Sequence, residues 1–318
     1  MNNQPDDSFL HLLKDVTFRP VFIIGDHRSG TTLLYKILAD TRSFDVLTAY
    51  HVIHYNEILA NHHAGRERES KQALAARFSA LGLSNRIIDS MPVSPDAPEE
   101  YGFVLDESRR PRVQPSNKDR MVEICRKLRV TAPKDRLLLL KNPWDVLSFA
   151  YLKSCFPNAR MIFLHRHPLG VINSQMRAIR SLVEKRNEYT ALLAKWYAQM
   201  LQSPAELAWM RLVFAGQLPL WKKIVPRHVL RANRYYAENI GTIPEEDRIS
   251  LRYEDLCRDP RGTIEGILSF LRVSPETALP YEKMIAARDP ELLPEIARSR
   301  DQILKPFRPY LVSHGYEN

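Results

Sequence analysis

Short, continuously apolar segments recur along the chain, and each one ends in polar or basic residues. Three of them occupy residues 21–24, 137–140 and 161–164, and a fourth, less apolar segment occupies residues 249–252. Uninterrupted apolar runs of this length are typical of parallel strands that are buried on both faces of a sheet. The pattern therefore predicts at least four parallel strands.

A helical pattern follows each of these segments. The predicted helices are residues 31–39, 145–154, 169–179 and 260–271, and Pro260 suits the first turn of the last one. Repeated strand–turn–helix units predict an α/β fold in which helices flank a central parallel sheet. We expect a single domain over residues 1–318, with helical and loop insertions at about 42–115 and 181–245.

Two stretches inside these insertions differ in composition and predicted structure. Residues 91–115 are rich in proline and predict a long loop over the sheet, whereas residues 181–240 have a helical pattern. The helical stretch contains Trp196, Trp209 and Trp221, and large aromatic side chains of this kind are expected in the core.

The chain has 318 residues and a formal net charge of +9, from 46 Lys and Arg against 37 Asp and Glu. This surplus fits a solvated basic surface or a partner with several negative charges, such as a nucleotide, an anionic sugar or a membrane surface. No basic run interleaved with aromatics and no zinc or helix-turn-helix pattern occurs, so nucleic acid is not expected as a partner.

The cysteines and the apolar runs indicate the cellular compartment in which the protein is expected. Three widely spaced cysteines exclude a disulfide framework and fit a reducing environment. The sequence has no transmembrane segment and no signal-peptide pattern, so we expect a cytoplasmic protein. A homo-oligomer is compatible with all of these features.

Candidate chemistry begins directly after the first predicted strand. Gly25 and Gly30 have the spacing of a phosphate-cradling loop, in which backbone N–H groups and a helix N-terminus hold an anion. A nucleotide triphosphatase has Lys after the second glycine, but here that residue is Thr31, and Arg28 lies inside the loop. Two other strands end in cations, Lys141 and Arg166, where a magnesium site would need carboxylates. We therefore expect an anion bound without a metal ion.

With those residues in place, the segment FIIGDHRSGTTLL (22–34) resembles the 5′-phosphosulfate loop of sulfotransferases that use 3′-phosphoadenosine 5′-phosphosulfate. In the bacterial and tyrosyl-protein branches that loop commonly contains PRSGTTLL, whereas here Asp26 and His27 replace the usual proline. A second family element is an Arg at a strand end with a Ser eight positions later, as in Arg166 and Ser174.

Three further segments are similar to bacterial sulfotransferases: LLKNP (139–143), PEEYGFVL (98–105) and RYEDL (252–256) with a later Asp-Pro. The RKGxxGDW element of the cytosolic aryl and steroid branch is absent, which leaves the C-terminal nucleotide contacts unassigned.

The resemblance implies an enzyme that moves a sulfuryl group by metal-independent, in-line displacement. The donor would be 3′-phosphoadenosine 5′-phosphosulfate, the product 3′,5′-bisphosphate (PAP), and the acceptor a hydroxyl or amine of a small molecule or glycan. The residues implied in binding the nucleotide are His27, Arg28, Ser29, Gly30, Thr31, Thr32, Arg166 and Ser174.

The reaction needs charge stabilisation and a base. Arg28 and Lys141 are the candidates for stabilising the leaving phosphate. Two candidates for the base stay open: His51, because an imidazole titrates near neutrality, and Glu100 in the proline-rich loop.

Two other functions compete with this interpretation. A metal-dependent nucleotide kinase with a degenerate loop would bind ATP only with Mg²⁺. A non-catalytic nucleotide-binding module would bind the bisphosphate without turning over any acceptor.

Overall fold

A five-stranded, all-parallel sheet forms the centre of the computed structural model, which describes residues 4–87, 91–105, 111–214, 220–285 and 291–316. The strands run in the spatial order β2-β3-β1-β4-β5. In chain order, β1 to β5 are Pro20–Ile24, Phe44–Val46, Leu137–Lys141, Arg160–His165 and Arg248–Arg252.

Helices surround this sheet. In chain order, α1 to α17 are Thr31–Asp40, Ala49–Ile53, Ile58–His63, Glu67–Ala80, Lys118–Thr131, Phe149–Cys155, Pro168–Glu184, Glu188–Leu193, Lys195–Leu201, Pro204–Phe214, Trp221–Asn239, Tyr253–Arg258, Pro260–Leu271, Tyr281–Met284, Pro294–Ala297, Arg300–Leu304 and Arg308–Ser313. Short 3₁₀ helices cover Asp7–Leu13, Tyr101–Phe103, Pro143–Leu147, Ile240–Thr242, Glu245–Asp247 and Lys305–Phe307.

The uninterrupted apolar strands are explained by burial on both faces of the sheet. In β1, Phe22 and Ile24 join one buried cluster, while Val21 and Ile23 join another on the opposite face. Helices α5 and α6 contribute to the first cluster, and α1 and α13 contribute to the second. The α/β fold predicted from the sequence is confirmed.

Most predicted elements are present, with two differences. β2 was not predicted, because a strand of three residues leaves too short a pattern to recognise. The single helix predicted over 145–154 is wrong: a 3₁₀ helix ends at Leu147 and α6 begins at Phe149.

The division of that helix has a tertiary cause. The buried Asp145 carboxylate accepts hydrogen bonds from Ser148 Oγ at 2.8 Å, the Val113 N–H at 3.0 Å and Tyr101 Oη at 2.8 Å. These contacts hold Asp145 in the turn before α6, and a continuous α-helix through this turn would disrupt them.

The long insertions agree in part with their predictions. The end of α7 and helices α8 to α11 account for most of the helical stretch, and residues 215–219 lie outside the described residues. Of the tryptophans, Trp221 is buried and Trp196 partly buried, but Trp209 is 56% exposed, so its predicted core position is wrong. The proline-rich stretch is a loop with one 3₁₀ turn, and its residues 106–110 are likewise not described.

The carboxyl ends of the strands determine where a ligand can bind. Because all strands are parallel, the loops after Ile24, Lys141, His165 and Arg252 meet at one edge of the sheet. None of the helices in the described ranges is long and apolar enough to cross a membrane.

Candidate active site

The loop between β1 and α1 has the geometry of an anion cradle. Gly30 has a φ of 100°, and a Cβ atom at this position would lie 2.3 Å from the Tyr253 ring, so only glycine fits. Helix α1 begins at Thr31 with no side-chain cap and no acidic residue in its first turn. Its N-terminal N–H groups are therefore suited to an anionic ligand.

Arg28 connects this loop to the end of β4 and to α7. Its φ of 70° is unusual for a residue with a side chain. Its Nε donates to Ser174 Oγ at 3.1 Å, and its carbonyl accepts a hydrogen bond from Arg166 Nη1 at 2.9 Å. The Arg166 guanidinium also lies 4.4 Å from the centre of the Tyr253 ring. Three residues that the sequence singled out thus lie together.

Lys141, at the end of β3, lies beside the first turn of α1. Its buried Nζ donates to Thr32 Oγ1 at 2.9 Å and to Glu100 Oε1 at 2.6 Å. Burial alone would raise the pKa of Glu100, but the nearby charges of Lys141 and then His27 hold it below its ordinary value. Glu100 is therefore ionised at neutral pH and paired with the lysine.

A neighbouring carboxylate anchors the loop that carries Glu100. Glu99 is buried and forms an ion pair with Arg86 at 2.6 Å, and it also accepts a hydrogen bond from the Tyr189 hydroxyl. Burial raises the pKa of Glu99 to about 7. Neighbouring glutamates in the chain thus differ: Glu99 is anchored in the protein, and Glu100 lies beside Lys141.

Beside the phosphate loop lies a polar layer that the sequence did not predict, formed by Asp26, Gln175 and His228. Asp26 Oδ1 accepts from the His27 N–H at 2.7 Å and from Gln175 Nε2 at 3.1 Å, and it lies 3.4 Å from His228 Nε2. The signal available in the sequence was Asp26 itself, an acidic residue directly before His27 and Arg28 of the loop, because a carboxylate that becomes buried there requires polar partners.

The His27 ring lies at the same edge of the sheet. It contacts the Trp144 ring edge-on at a centroid distance of 4.5 Å, and its Nε2 is buried without a hydrogen-bond partner among the described residues. Burial lowers the pKa of His27, despite the opposing charges of Glu100 and Asp26.

His51 is not brought into this group of contacts. Its Nδ1 accepts a hydrogen bond from the Thr48 N–H at 3.1 Å, as part of the cap of α2. Burial, followed by the charge of Lys71, lowers the pKa of His51 to about 3. The neighbouring His54 directly follows α2 and stacks on Tyr50.

Comparison with known proteins identifies the family of this chain. A family model described as "Sulfotransferase family" matches residues 20–218, which include both cation-bearing strand ends and the phosphate loop. The chain belongs to the sulfotransferase family.

Two curated relatives of this chain are mycobacterial proteins. The chain is 24% identical over 277 residues to the omega-hydroxy-beta-dihydromenaquinone-9 sulfotransferase Stf3 of Mycobacterium bovis, and to the protein of the same name from Mycobacterium tuberculosis. The match covers 79% of this chain but only 62% of each relative's length.

Solved structures in the family share the fold. Sulfotransferase STF9 from Mycobacterium avium superposes with a TM-score of 0.61 and 18% identity, covering 97% of this chain and 80% of that one. STF1 from Mycobacterium tuberculosis gives a TM-score of 0.55 and 15% identity, covering 95% and 80%.

The C-terminal part of this sulfotransferase-family chain packs beside the same sheet edge. Tyr316 Oη donates to Glu254 Oε2 at 2.8 Å, and Glu254 Oε1 accepts from the His167 N–H at 3.0 Å. Arg252 Nη1 donates to the carbonyls of His314 and Gly315. The segment RYEDL thereby ties the C-terminus to the start of α7, a link for which the sequence offered no signal.

Proposed function

We propose that the chain transfers the sulfuryl group of 3′-phosphoadenosine 5′-phosphosulfate to a hydroxyl group of a small-molecule or glycan acceptor. The observation that carries the proposal is the convergence of Arg28, Lys141 and Arg166 around the uncapped N-terminus of α1. Cations from three separate elements, together with a helix N-terminus, suit a co-substrate that carries two phosphate groups and a sulfonate.

The nucleotide would be held on two sides. Arg166 and Ser174 bind the 3′-phosphate, because a planar guanidinium matches a phosphate dianion and a hydroxyl adds a further donor. The 5′-phosphosulfate binds in the loop at the start of α1. Its contacts there are the backbone of Ser29 and Gly30 and the hydroxyls of Thr31 and Thr32. His27 contacts the sulfonate in this proposal.

In the proposed chemical step, Lys141, Arg28 and Glu100 have separate roles. The acceptor oxygen attacks sulfur, the bond between sulfur and the bridging oxygen breaks, and its electron pair stays on the 5′-phosphate of the released bisphosphate. Lys141 and Arg28 neutralise the charge that develops there. Glu100 accepts the acceptor's proton, since it is the ionised base candidate in contact with Lys141, whereas His51 caps α2.

The acceptor in this proposal is a hydroxyl compound. The curated relatives carry an omega-hydroxy acceptor in their name, which favours a hydroxyl over an amine. The binding surfaces would come from the loop that carries Glu100 and from the helices α8 to α11.

The decisive experiment uses ³⁵S-labelled donor with a panel of hydroxyl and amine acceptors, in buffer with excess EDTA. We expect label in at least one hydroxyl acceptor and release of the bisphosphate. In a parallel assay with ATP and Mg²⁺ and without EDTA, phosphate transfer to an acceptor would instead establish the kinase. Tight binding of the bisphosphate without transfer to any acceptor would indicate a non-catalytic module.

A further inference from the structure

Helix α11 has two faces of opposite character. Trp221, Val225 and Val229 are buried and belong to a cluster shared with α7. The opposite side, here termed the outer face of α11, consists of exposed residues that share one face at helical spacing, the first of them directly before the helix: Leu220, Lys223, Ile224, Arg227, Arg231 and Arg234.

The outer face is strongly cationic. Its lysine and three arginines have no carboxylate within ion-pair distance among the residues that the structure describes, and Glu238 is the acidic residue at its C-terminal end. A groove of about 310 Å³ is lined by the three arginines of this face together with Leu230, Tyr235 and Glu238. Clustered cations of this kind attract an anionic surface.

Exposed apolar side chains accompany these cations. Leu220 and Ile224 are 37% and 48% exposed, and Trp209 on α10 is 56% exposed. The ends of α10 and α11 adjoin one buried cluster, which contains Phe214 and Trp221. A single exposed apolar residue is unremarkable, but apolar residues beside cations on one helix face form the pattern of an interfacial helix.

We propose that the outer face of α11 docks the protein on an anionic membrane surface. The arginines contact headgroup phosphates, while Leu220 and Ile224 enter the boundary between headgroups and acyl chains. A nucleic acid would use the arginines but gain nothing from the apolar pair. A partner helix would have to bury the cations of this face, which is unfavourable.

Docking in this way would hold the candidate active site near the membrane, with α11 between them. His228 of α11 lies 3.4 Å from Asp26 in the phosphate loop, and α11 packs on the turn Pro143–Leu147 that follows Lys141. The proposal goes beyond sulfuryl transfer and does not depend on it.

The test measures co-sedimentation of the full chain with vesicles of phosphatidylcholine, with or without about 30 mol% phosphatidylglycerol, at several salt concentrations. We expect binding to the anionic vesicles only, weakening as salt increases. The triple variant R227E/R231E/R234E should bind at least ~100-fold more weakly, since each cation near an anionic surface contributes. The control R66E/R68E/R77E reverses three exposed arginines on or beside α4 and should bind like wild type.

A second variant, L220S/I224S, separates a membrane from a soluble polyanion. It should lose vesicle binding about tenfold yet retain its affinity for heparin. If circular dichroism shows that the charge reversal unfolds the protein, Gln replacements at the same positions take its place.

The proposal is overturned if the wild type does not bind anionic vesicles. It is also overturned if the α4 control loses as much binding as the α11 variant, or if L220S/I224S binds vesicles with the affinity of the wild type. Bisphosphate binding, measured on the same samples, should be equal in all variants. Its absence from wild type would count against the proposed function and leave the docking result standing.

Discussion

Lys141 and Glu100 form a 2.6 Å ion pair at the point where β3 ends beside the first turn of α1. The lysine comes from the sheet and the glutamate from a loop 41 positions earlier in the chain. In the proposed reaction, one partner stabilises the leaving group and the other accepts a proton. The pair therefore couples the two tasks that sulfuryl transfer requires.

Replacing Lys141 should affect chemistry more than binding. Lys141→Ala should lower kcat by about 10²–10³, as removal of one preorganised donor does, with a modest change in bisphosphate affinity. Loss of the lysine should also raise the pKa of Glu100, so the acid limb of the pH profile should move to higher pH. Single-turnover rates and equilibrium binding, measured together, test this. Normal turnover by the variant would show that the assigned role is wrong.

The arginine contacts predict a graded loss of nucleotide affinity. Arg166→Ala should weaken bisphosphate binding roughly 10- to 100-fold, because a charge-assisted hydrogen bond contributes about 1.5–3 kcal/mol. Ser174→Ala should cost less, and Arg28→Ala should reduce both affinity and kcat. Arg160→Ala is the matched control, since this β4 arginine donates to the Phe270 carbonyl instead. Titration calorimetry would contradict the assignment if Arg166→Ala and Ser174→Ala bound like wild type.

Variants of Glu100 and His51 should show which of the two is the base. Glu100→Gln should slow transfer by about 10²–10⁴ while leaving bisphosphate affinity intact. His51→Ala should instead cost about 1 kcal/mol of stability through loss of the α2 cap, with kcat nearly unchanged. Rate measurements and urea unfolding on both variants check this, and a slow His51→Ala enzyme would reverse the assignment.

The pH profile provides a separate test of the same base. Because its pKa lies below the ordinary value, Glu100 stays ionised through neutrality, and kcat/KM should be flat from pH 7 to about pH 5. A fall in kcat/KM between pH 7 and pH 5 would contradict Glu100 as the base.

Nucleotide binding should not need a metal ion. Bisphosphate at roughly 100 times its Kd should stabilise the fold by about 2.7 kcal/mol, equally with and without EDTA. Thermal shift assays measure this directly. A shift that requires Mg²⁺, or a larger shift with ATP, would favour the kinase.

His165 should make stability depend on pH. Its ring is buried between Tyr236 and His314, and burial lowers its pKa to about 3. The unfolded chain binds the proton near pH 6.5, so stability is fully present above that pH and falls below it, by up to about 1.4 kcal/mol per pH unit. Urea unfolding at pH 7 and pH 5 should show a smaller difference for His165→Phe than for wild type. Equal differences would rule out this contribution.

Much of the site could be predicted because its residues follow buried strands directly. The apolar runs before Gly25, Lys141 and Arg166 mark strands, and parallel strands must end at one edge. The spacing of Gly25 and Gly30 indicates a tight loop, because a side chain at either glycine would prevent the backbone from adopting that conformation. Local pattern and sheet geometry thus sufficed to bring Arg28, Lys141 and Arg166 together.

Only the tertiary structure decided which polar groups are partners, because pairing depends on loops and helices distant in the chain. Glu100 and His51 were equal candidates in sequence, and the fold pairs one with Lys141 and uses the other to cap α2. The layer of Asp26, Gln175 and His228 joins three elements whose spacing carries no local signal. Burial sets the charge state of such groups, and burial is a property of the packed molecule rather than of the sequence around a residue.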